Sequence, residues 1–372
     1  MTGWVAFLLG LGLLVVGAEA LVRGASRLAL QVGISPLVVG LTVVAFGTSS
    51  PEVTVTVRSA LLGEQGADVA LGNVVGSNIA NILLILGASA LLRPLQVRRQ
   101  LVRVDVPIMI GCSVLVLFMA LDGRIRPWEG GILSLGIVAY TAFAVRLGRQ
   151  DAPKEAGEGH WGELGKATVY SWAGNLALVG GGLGALLVGS NWFVEGAIFL
   201  ARTLGVSELV IGLTVVAVGT SSPEIATSLL AAVKGERDIA VGNAVGSNIF
   251  NLLAVLGPAS VVSGQGLRVS PAALHFDLPV MLAVAVACLP IFLTGELMGR
   301  WEGLLFLTYY GLYLTYLWLK SAQHDLLAPF SAVMGFFVLP LTAVTLVGIA
   351  FWSWYHPRRG RPGKSNRSAL LG

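Results

Sequence analysis

Two carboxylates, Glu52 and Glu224, close two near-identical hydroxyl-rich motifs inside apolar runs: Gly47-Thr48-Ser49-Ser50-Pro51-Glu52 and Gly219-Thr220-Ser221-Ser222-Pro223-Glu224. Thr48 and Ser49 precede Glu52 by four and three residues, as Thr220 and Ser221 precede Glu224, so on a helix each set of oxygens shares one face. Pro51 and Pro223 cannot donate a backbone hydrogen bond and clash with the carbonyl four residues back, at Gly47 and Gly219. Carbonyls freed at membrane depth persist only against protein or a wet cavity. Hydroxyls, a carboxylate and loose carbonyls make a hard-oxygen cage that suits Na⁺ or Ca²⁺, and the lack of Cys or His beside them argues against zinc or copper. Neither Glu has a Lys or Arg partner at its depth, so a bound cation is its natural partner.

A second motif follows in each half. Asp68–Gly87 and Asp238–Gly257 are identical at 13 of 20 positions, centred on GNVVGSNIAN and GNAVGSNIFN. Ser77 and Asn81 are four apart, as are Ser247 and Asn251, and their neutral oxygens can complete a coordination shell. Gly, Ser, Thr and Asn in membrane helices more often serve packing and interhelical hydrogen bonds. Ser50, Ser222, Asn73, Asn78, Asn243 and Asn248 are read that way. Asp105 and Asp277, each two residues before a proline, read as helix caps. Glu19, Glu129, Glu195 and Glu302 read as interfacial, and Asp68 and Asp238 as helix starts. Cys112 and Cys288 read as small buried side chains.

These groups need a membrane scaffold. The 372 residues are 55% hydrophobic and 12% charged, against about 25% charged in soluble domains. The long apolar runs argue for helices, not a barrel. Spans are expected at about 4–22, 35–62, 69–92, 104–120, 127–147, 171–194, 207–233, 238–262, 277–294, 301–319 and 330–354. The first is kept as a helix because no basic residue precedes it, as a signal peptide requires, and because Gly17–Ala25 aligns with Gly189–Ala197.

The first ten spans form a repeat of five and five. LVVGLTVVAFGTSSPE (Leu37–Glu52) matches LVIGLTVVAVGTSSPE (Leu209–Glu224) at 14 of 16 positions. Asp105-Val106-Pro107 matches Asp277-Leu278-Pro279, and Trp128-Glu129-Gly130 matches Trp301-Glu302-Gly303. An odd number of spans makes the second copy enter the membrane from the opposite side, which is the inverted-repeat design of secondary transporters. The expected division is 1–147 as the first half, 148–170 as a cytoplasmic linker, 171–320 as the inverted second half, and 321–372 as an extra span with a basic tail. With the N-terminus outside, 18 of the 24 Lys and Arg fall on the cytoplasmic side. Short-loop basic residues favour that orientation. The net charge of +4 is therefore a topology signal, with no nucleic-acid partner implied.

At the two motifs the chain resembles the sodium/calcium exchanger family of the cation/calcium exchanger superfamily, over about residues 1–320. The resemblance implies a central cluster of spans two, three, seven and eight, with long first and sixth helices sliding past it, and antiport by alternating access. It makes Glu52 and Glu224 the central carboxylates. Oxygens would be added by Thr48, Ser49, Thr220, Ser221, Ser77, Ser247, Asn81 and Asn251, and by the carbonyls of Ala45 and Ala217. Some members carry Asp where this chain has Asn81 or Asn251, so the site here has two carboxylates, not three. The proton-coupled branch usually shows a GNxxE-type motif in place of GTSSPE, which favours Na⁺. The expected function is Na⁺/Ca²⁺ antiport in an inner or plasma membrane. No enzymatic activity, tightly bound cofactor or obligatory protein partner is expected. Ca²⁺/H⁺ antiport at the same site and an ion channel are the alternatives.

Overall fold

A computed structural model describes residues 3–155, 172–204, 217–293 and 296–355. Eight of the described helices are long and apolar enough to cross a bilayer, and a pair bent by 47° adds a ninth. In chain order the helices are α1 (Gly3–Val32), the bent α2 (Pro36–Thr48 and Ser50–Ala60), α3 (Glu64–Leu92), α4 (Leu101–Asp122) and α5 (Pro127–Glu155). The second half has α6 (Trp172–Thr203), α7 (described as Ala217–Thr220 and Ser222–Lys234), α8 (Arg237–Val262), α9 (Ala273–Leu293) and α10 (Arg300–Ser321). The additional α11 runs from Leu327–Val333 through a π-helical turn into Leu339–Tyr355. Residues 156–170 of the expected linker, residue 171, the start of the seventh span and the tail after Tyr355 lie outside the described residues.

The end helices of the first half outrun their hydropathy. α1 continues ten residues past its expected end at Val22 because Arg23 and Arg27 do not stop it. Arg23 forms an i,i+4 ion pair with Glu19, and arginine stems cover apolar surface while their heads reach water. α5 likewise continues as helix to Glu155.

α1 and α6 pack antiparallel along their length on glycines spaced seven apart. A Cβ at Gly10 would lie 2.3 Å from the Phe193 nitrogen, at Gly17 2.8 Å from the Gly182 carbonyl, and at Gly196 2.4 Å from the Phe7 nitrogen. Only the absent side chains let the two backbones meet, as in small-residue seams between membrane helices.

Four two-residue strands display the inversion directly. β1 (Leu95–Gln96, after α3) pairs with β4 (Leu297–Met298, after α9), and β2 (Arg124–Ile125, after α4) pairs with β3 (Leu267–Arg268, after α8). The loop after the third helix of one half thus meets the loop after the fourth helix of the other, which parallel repeats could not achieve. β1–β4 mark the face on which α1 ends, called here the linker face; β2–β3 mark the opposite face.

The two repeats, alike in sequence, sit in unlike surroundings. On the linker face the first half of α2 lies directly on α8: a Cβ at Gly242 would be 2.8 Å from the Leu37 carbonyl, and one at Gly246 2.7 Å from Leu41 Cα. Their repeat mates on α3 are less covered, Gly72 exposed and Gly76 half-buried. Val69 is 56% exposed where its mate Ile239 is fully buried. An ion pair of 2.6 Å joins Lys234, at the end of α7, to Glu19 on α1. The mates of these residues are Leu62 and Asn191, which cannot form one. These contacts close the linker face between α1, α2, α7 and α8.

The candidate cation site

The chain breaks where the two serine–proline steps require it. Ser49 (φ −78°, ψ 7°) and Ser221 (φ −84°, ψ 9°) leave helical geometry, and each is followed by a new helix with proline in its first turn. In α7 the Gly219 carbonyl accepts the Ser190 hydroxyl at 2.9 Å, so Pro223 frees a carbonyl as expected and α6 takes it up. The Ala45 carbonyl accepts the Ser49 amide at 3.0 Å and the Thr48 hydroxyl at 3.4 Å. Ala217 opens the short helix before the second break, and Thr220 is half-buried.

The breaks bring the two carboxylates into one buried centre, crosswise. Ser49 Oγ donates to Glu224 Oε1 at 3.1 Å, and Ser221 Oγ lies 3.3 Å from both Glu52 Oε1 and Ser77 Oγ. Each Glu is 1% exposed, and no Lys or Arg pairs with either among the described residues. The second oxygen of each, Oε2, is buried without a donor, as are Asn81 Oδ1, Asn251 Oδ1 and Ser247 Oγ. Five oxygens from α2, α3, α7 and α8 thus lie buried and unpartnered.

The asparagines divide into two groups. Asn73 Nδ2 donates to Thr56 Oγ1 (2.9 Å) and the Glu52 carbonyl (3.4 Å), and Asn243 Nδ2 donates to Ser228 Oγ (2.9 Å) and the Glu224 carbonyl (3.4 Å). Asn243 Oδ1 also accepts Thr48 Oγ1 at 3.2 Å. These two serve interhelical packing, as expected. Ser50 instead donates within α2, to the Phe46 carbonyl four residues back at 3.3 Å. The other four cross between repeats: Asn81 Nδ2 donates to Asn248 Oδ1 and Asn251 Nδ2 to Asn78 Oδ1, each at 3.0 Å. A π-helical turn begins at Asn81 (Asn81–Leu86) and another at Asn251 (Asn251–Val255). Such wide turns recur at functional sites.

Asp105 and Asp277 do not cap helices. Each ends a π-helical turn with no side-chain cap, Asp105 accepting Tyr140 OH at 3.2 Å and Gln100 Nε2 at 3.3 Å, Asp277 accepting Tyr313 OH at 3.4 Å. The tyrosines come from the next helix, a partner that local spacing cannot reveal. Glu129 and Glu302 cap instead, accepting the Arg126 and Gly299 amides at 2.7 and 3.0 Å. Thr56, Ser228, Ser190, Met109 and Met281 also reach the site's partners and were not singled out from the sequence. The equal offset of Met109 and Met281 from Asp105 and Asp277 was the signal available.

No group of three or more His, Cys, Asp and Glu able to hold a metal occurs among the described residues. The centre is instead two carboxylates with neutral oxygens, the donor set of hard cations such as Ca²⁺.

Comparison with known proteins places this arrangement. The model of the family described as "Sodium/calcium exchanger protein" matches residues 2–146 and 174–319. The putative antiporter CaxA of Alkalimonas amylolytica is 40% identical over 282 residues, covering 76% of this chain and 87% of that protein. The sodium/calcium exchanger MaX1 of Methanosarcina acetivorans is 34% identical over 343 residues, covering 83% and 97%. A solved structure of the sodium-calcium exchanger NCX_Mj, soaked with 2.5 mM Na⁺ and 0.1 mM Ca²⁺, superposes with a TM-score of 0.72 at 30% identity, over 85% of this chain and 99% of that one. α11 lies beyond the residues matched by the family model. With two inverted five-helix repeats and one added helix, the chain belongs to the sodium/calcium exchanger protein family and is an antiporter, not an enzyme.

Proposed function

We propose that the protein exchanges Na⁺ for Ca²⁺ at one site built from Glu52 and Glu224, with Thr48, Ser49, Ser77, Asn81, Thr220, Ser221, Ser247, Asn251 and the carbonyls of Ala45 and Ala217. The observation that carries this reading is the set of five buried oxygens without donors. A buried unpaired polar group costs about 1–3 kcal/mol, more if charged. A cation at their centre relieves all five at once. The names of MaX1 and NCX_Mj support the choice of ions.

The mechanism is competition. Two carboxylates attract one Ca²⁺ or several Na⁺, and the empty site, doubly negative and desolvated, resists the switch between faces. Occupancy by either ion lowers that barrier. The switch itself follows from the inverted repeat: each half adopts the surroundings now held by the other, so α8 releases the first half of α2 and the linker face opens. The basic residues assign that face to the cytoplasm and the N-terminus to the outside of an inner or plasma membrane.

The test is Ca²⁺ uptake into proteoliposomes under separately imposed Na⁺, K⁺ and H⁺ gradients. Uptake is expected with the Na⁺ gradient alone. Uptake driven by a pH gradient in Na⁺-free buffer would replace this reading with Ca²⁺/H⁺ exchange, and flux needing no counter-ion would replace it with a channel.

A further inference from the structure

Two methionines outside the cation site stand at the heads of matching hydrogen-bond chains that end in it. Met281 on α9 is 2% exposed and Met109 on α4 fully buried. Asn248 Nδ2 lies 3.5 Å from Met109 Sδ, and Asn78 Nδ2 lies 3.5 Å from Met281 Sδ. The far end of each amide accepts from the next asparagine: Asn248 Oδ1 from Asn81 and Asn78 Oδ1 from Asn251, both at 3.0 Å. The last atoms of both chains, Asn81 Oδ1 and Asn251 Oδ1, are buried without a donor. Each chain runs thioether, amide, amide, bare oxygen, and passes through both repeats.

The direction of such a chain is not arbitrary. A carboxamide is nearly symmetric in shape but not in charge, and either end fits the same space. A thioether sulfur accepts weakly and cannot donate. Asn248 must therefore present its NH₂ to Met109 and its oxygen to Asn81. Asn81 must then present its NH₂ to Asn248, which leaves its oxygen at the end of the chain, buried and without a donor. Reversing any one amide sets oxygen against oxygen or turns an NH₂ toward a cation.

We infer that Met109 and Met281 are positioning residues for the transported cation: as acceptor-only groups they set the polarity of the Met–Asn–Asn chains and hold the Asn81 and Asn251 oxygens toward the ion. The inference rests on the cation site proposed above. The chains are unequal in a telling way. Asn78 Nδ2 has a second acceptor, the Asn248 carbonyl at 3.4 Å, whereas among the described residues Met109 is the sole acceptor of Asn248 Nδ2. Met109 therefore matters more.

Ca²⁺ binding isotherms on the purified full chain test this. Met109→Leu conserves volume and removes the acceptor. It is expected to weaken Ca²⁺ binding about 3- to 10-fold, with Met281→Leu about 2- to 3-fold and thermal unfolding of both within about 2 °C of wild type. In an Asn81→Ala background, Met109→Leu should have no further effect, because the oxygen it orients is gone. Wild-type affinity in Met109→Leu, or an equal loss with and without Asn81, overturns the inference. If Asn81→Ala weakens binding while Met109→Leu does not, the chain falls and the cation site stands. If the wild-type protein binds no Ca²⁺, both fall.

Discussion

Replacing Glu52 by Gln keeps the shape of the side chain and the Oε1 acceptor 3.3 Å from Ser221 Oγ, and removes one of the two charges at the centre. A carboxylate oxygen sits about 2.4 Å from Ca²⁺. At an effective dielectric of about 20 the gross attraction is on the order of 14 kcal/mol, and about half that for Na⁺. Desolvation cancels most of it. Breaking a buried charge pair costs about 3–5 kcal/mol net, so Ca²⁺ binding should weaken about 150- to 4,000-fold. A monovalent ion feels half the field, and each Na⁺ should weaken only about 10- to 70-fold. Selectivity therefore shifts toward Na⁺ while both affinities fall. Glu224→Gln should give the same pattern, because Ser49 stands to Glu224, at 3.1 Å, as Ser221 stands to Glu52. Ca²⁺ isotherms with Na⁺ competition read both quantities. Ca²⁺ affinity within about threefold of wild type, or equal losses for Ca²⁺ and Na⁺, would refute the two-carboxylate site.

Two further perturbations address the scaffold. Gly17→Val places a Cβ 2.8 Å from the Gly182 carbonyl and 2.9 Å from the Leu186 nitrogen. It should lower stability by at least about 1–3 kcal/mol in thermal unfolding, while Gly12→Val, with no neighbour within 4 Å, should stay near wild type. Lys234→Met removes the ion pair that joins α7 to Glu19 of α1 on the linker face. Partly exposed pairs contribute about 0.5–1 kcal/mol, so labelling of a Ser50→Cys reporter by an impermeant thiol reagent, with Cys112 and Cys288 replaced by Ala, should slow about 2- to 5-fold; an unchanged rate would sever the ion pair from the switch.

Glu52 and Glu224 were legible in the sequence because a carboxylate in an apolar run is costly wherever it lands, so its position alone is informative. The inversion was legible because it depends only on counting spans, and β1–β4 and β2–β3 meet as that count requires. Hydropathy misjudged the ends of α1 and α5, because an arginine that reaches water does not stop a helix. It also missed the seven-residue glycine spacing between α1 and α6, whose meaning lies wholly in the partner helix.

Sequence by itself determined the membrane class, the two breaks at the serine–proline steps, and the kinds of oxygen delivered there. These follow from local covalent geometry and from the cost of burying charge. Tertiary structure alone decided that Ser49 serves Glu224 and Ser221 serves Glu52, that Asp105 and Asp277 accept from tyrosines, and which way the asparagine amides point. It also decided that the first half of α2 stands pressed against α8 on the linker face. The serine–glutamate and asparagine bonds join segments about 170 residues apart and the Asp–Tyr bonds join neighbouring helices about 35 residues apart, and local spacing carries no information about which helix will stand opposite.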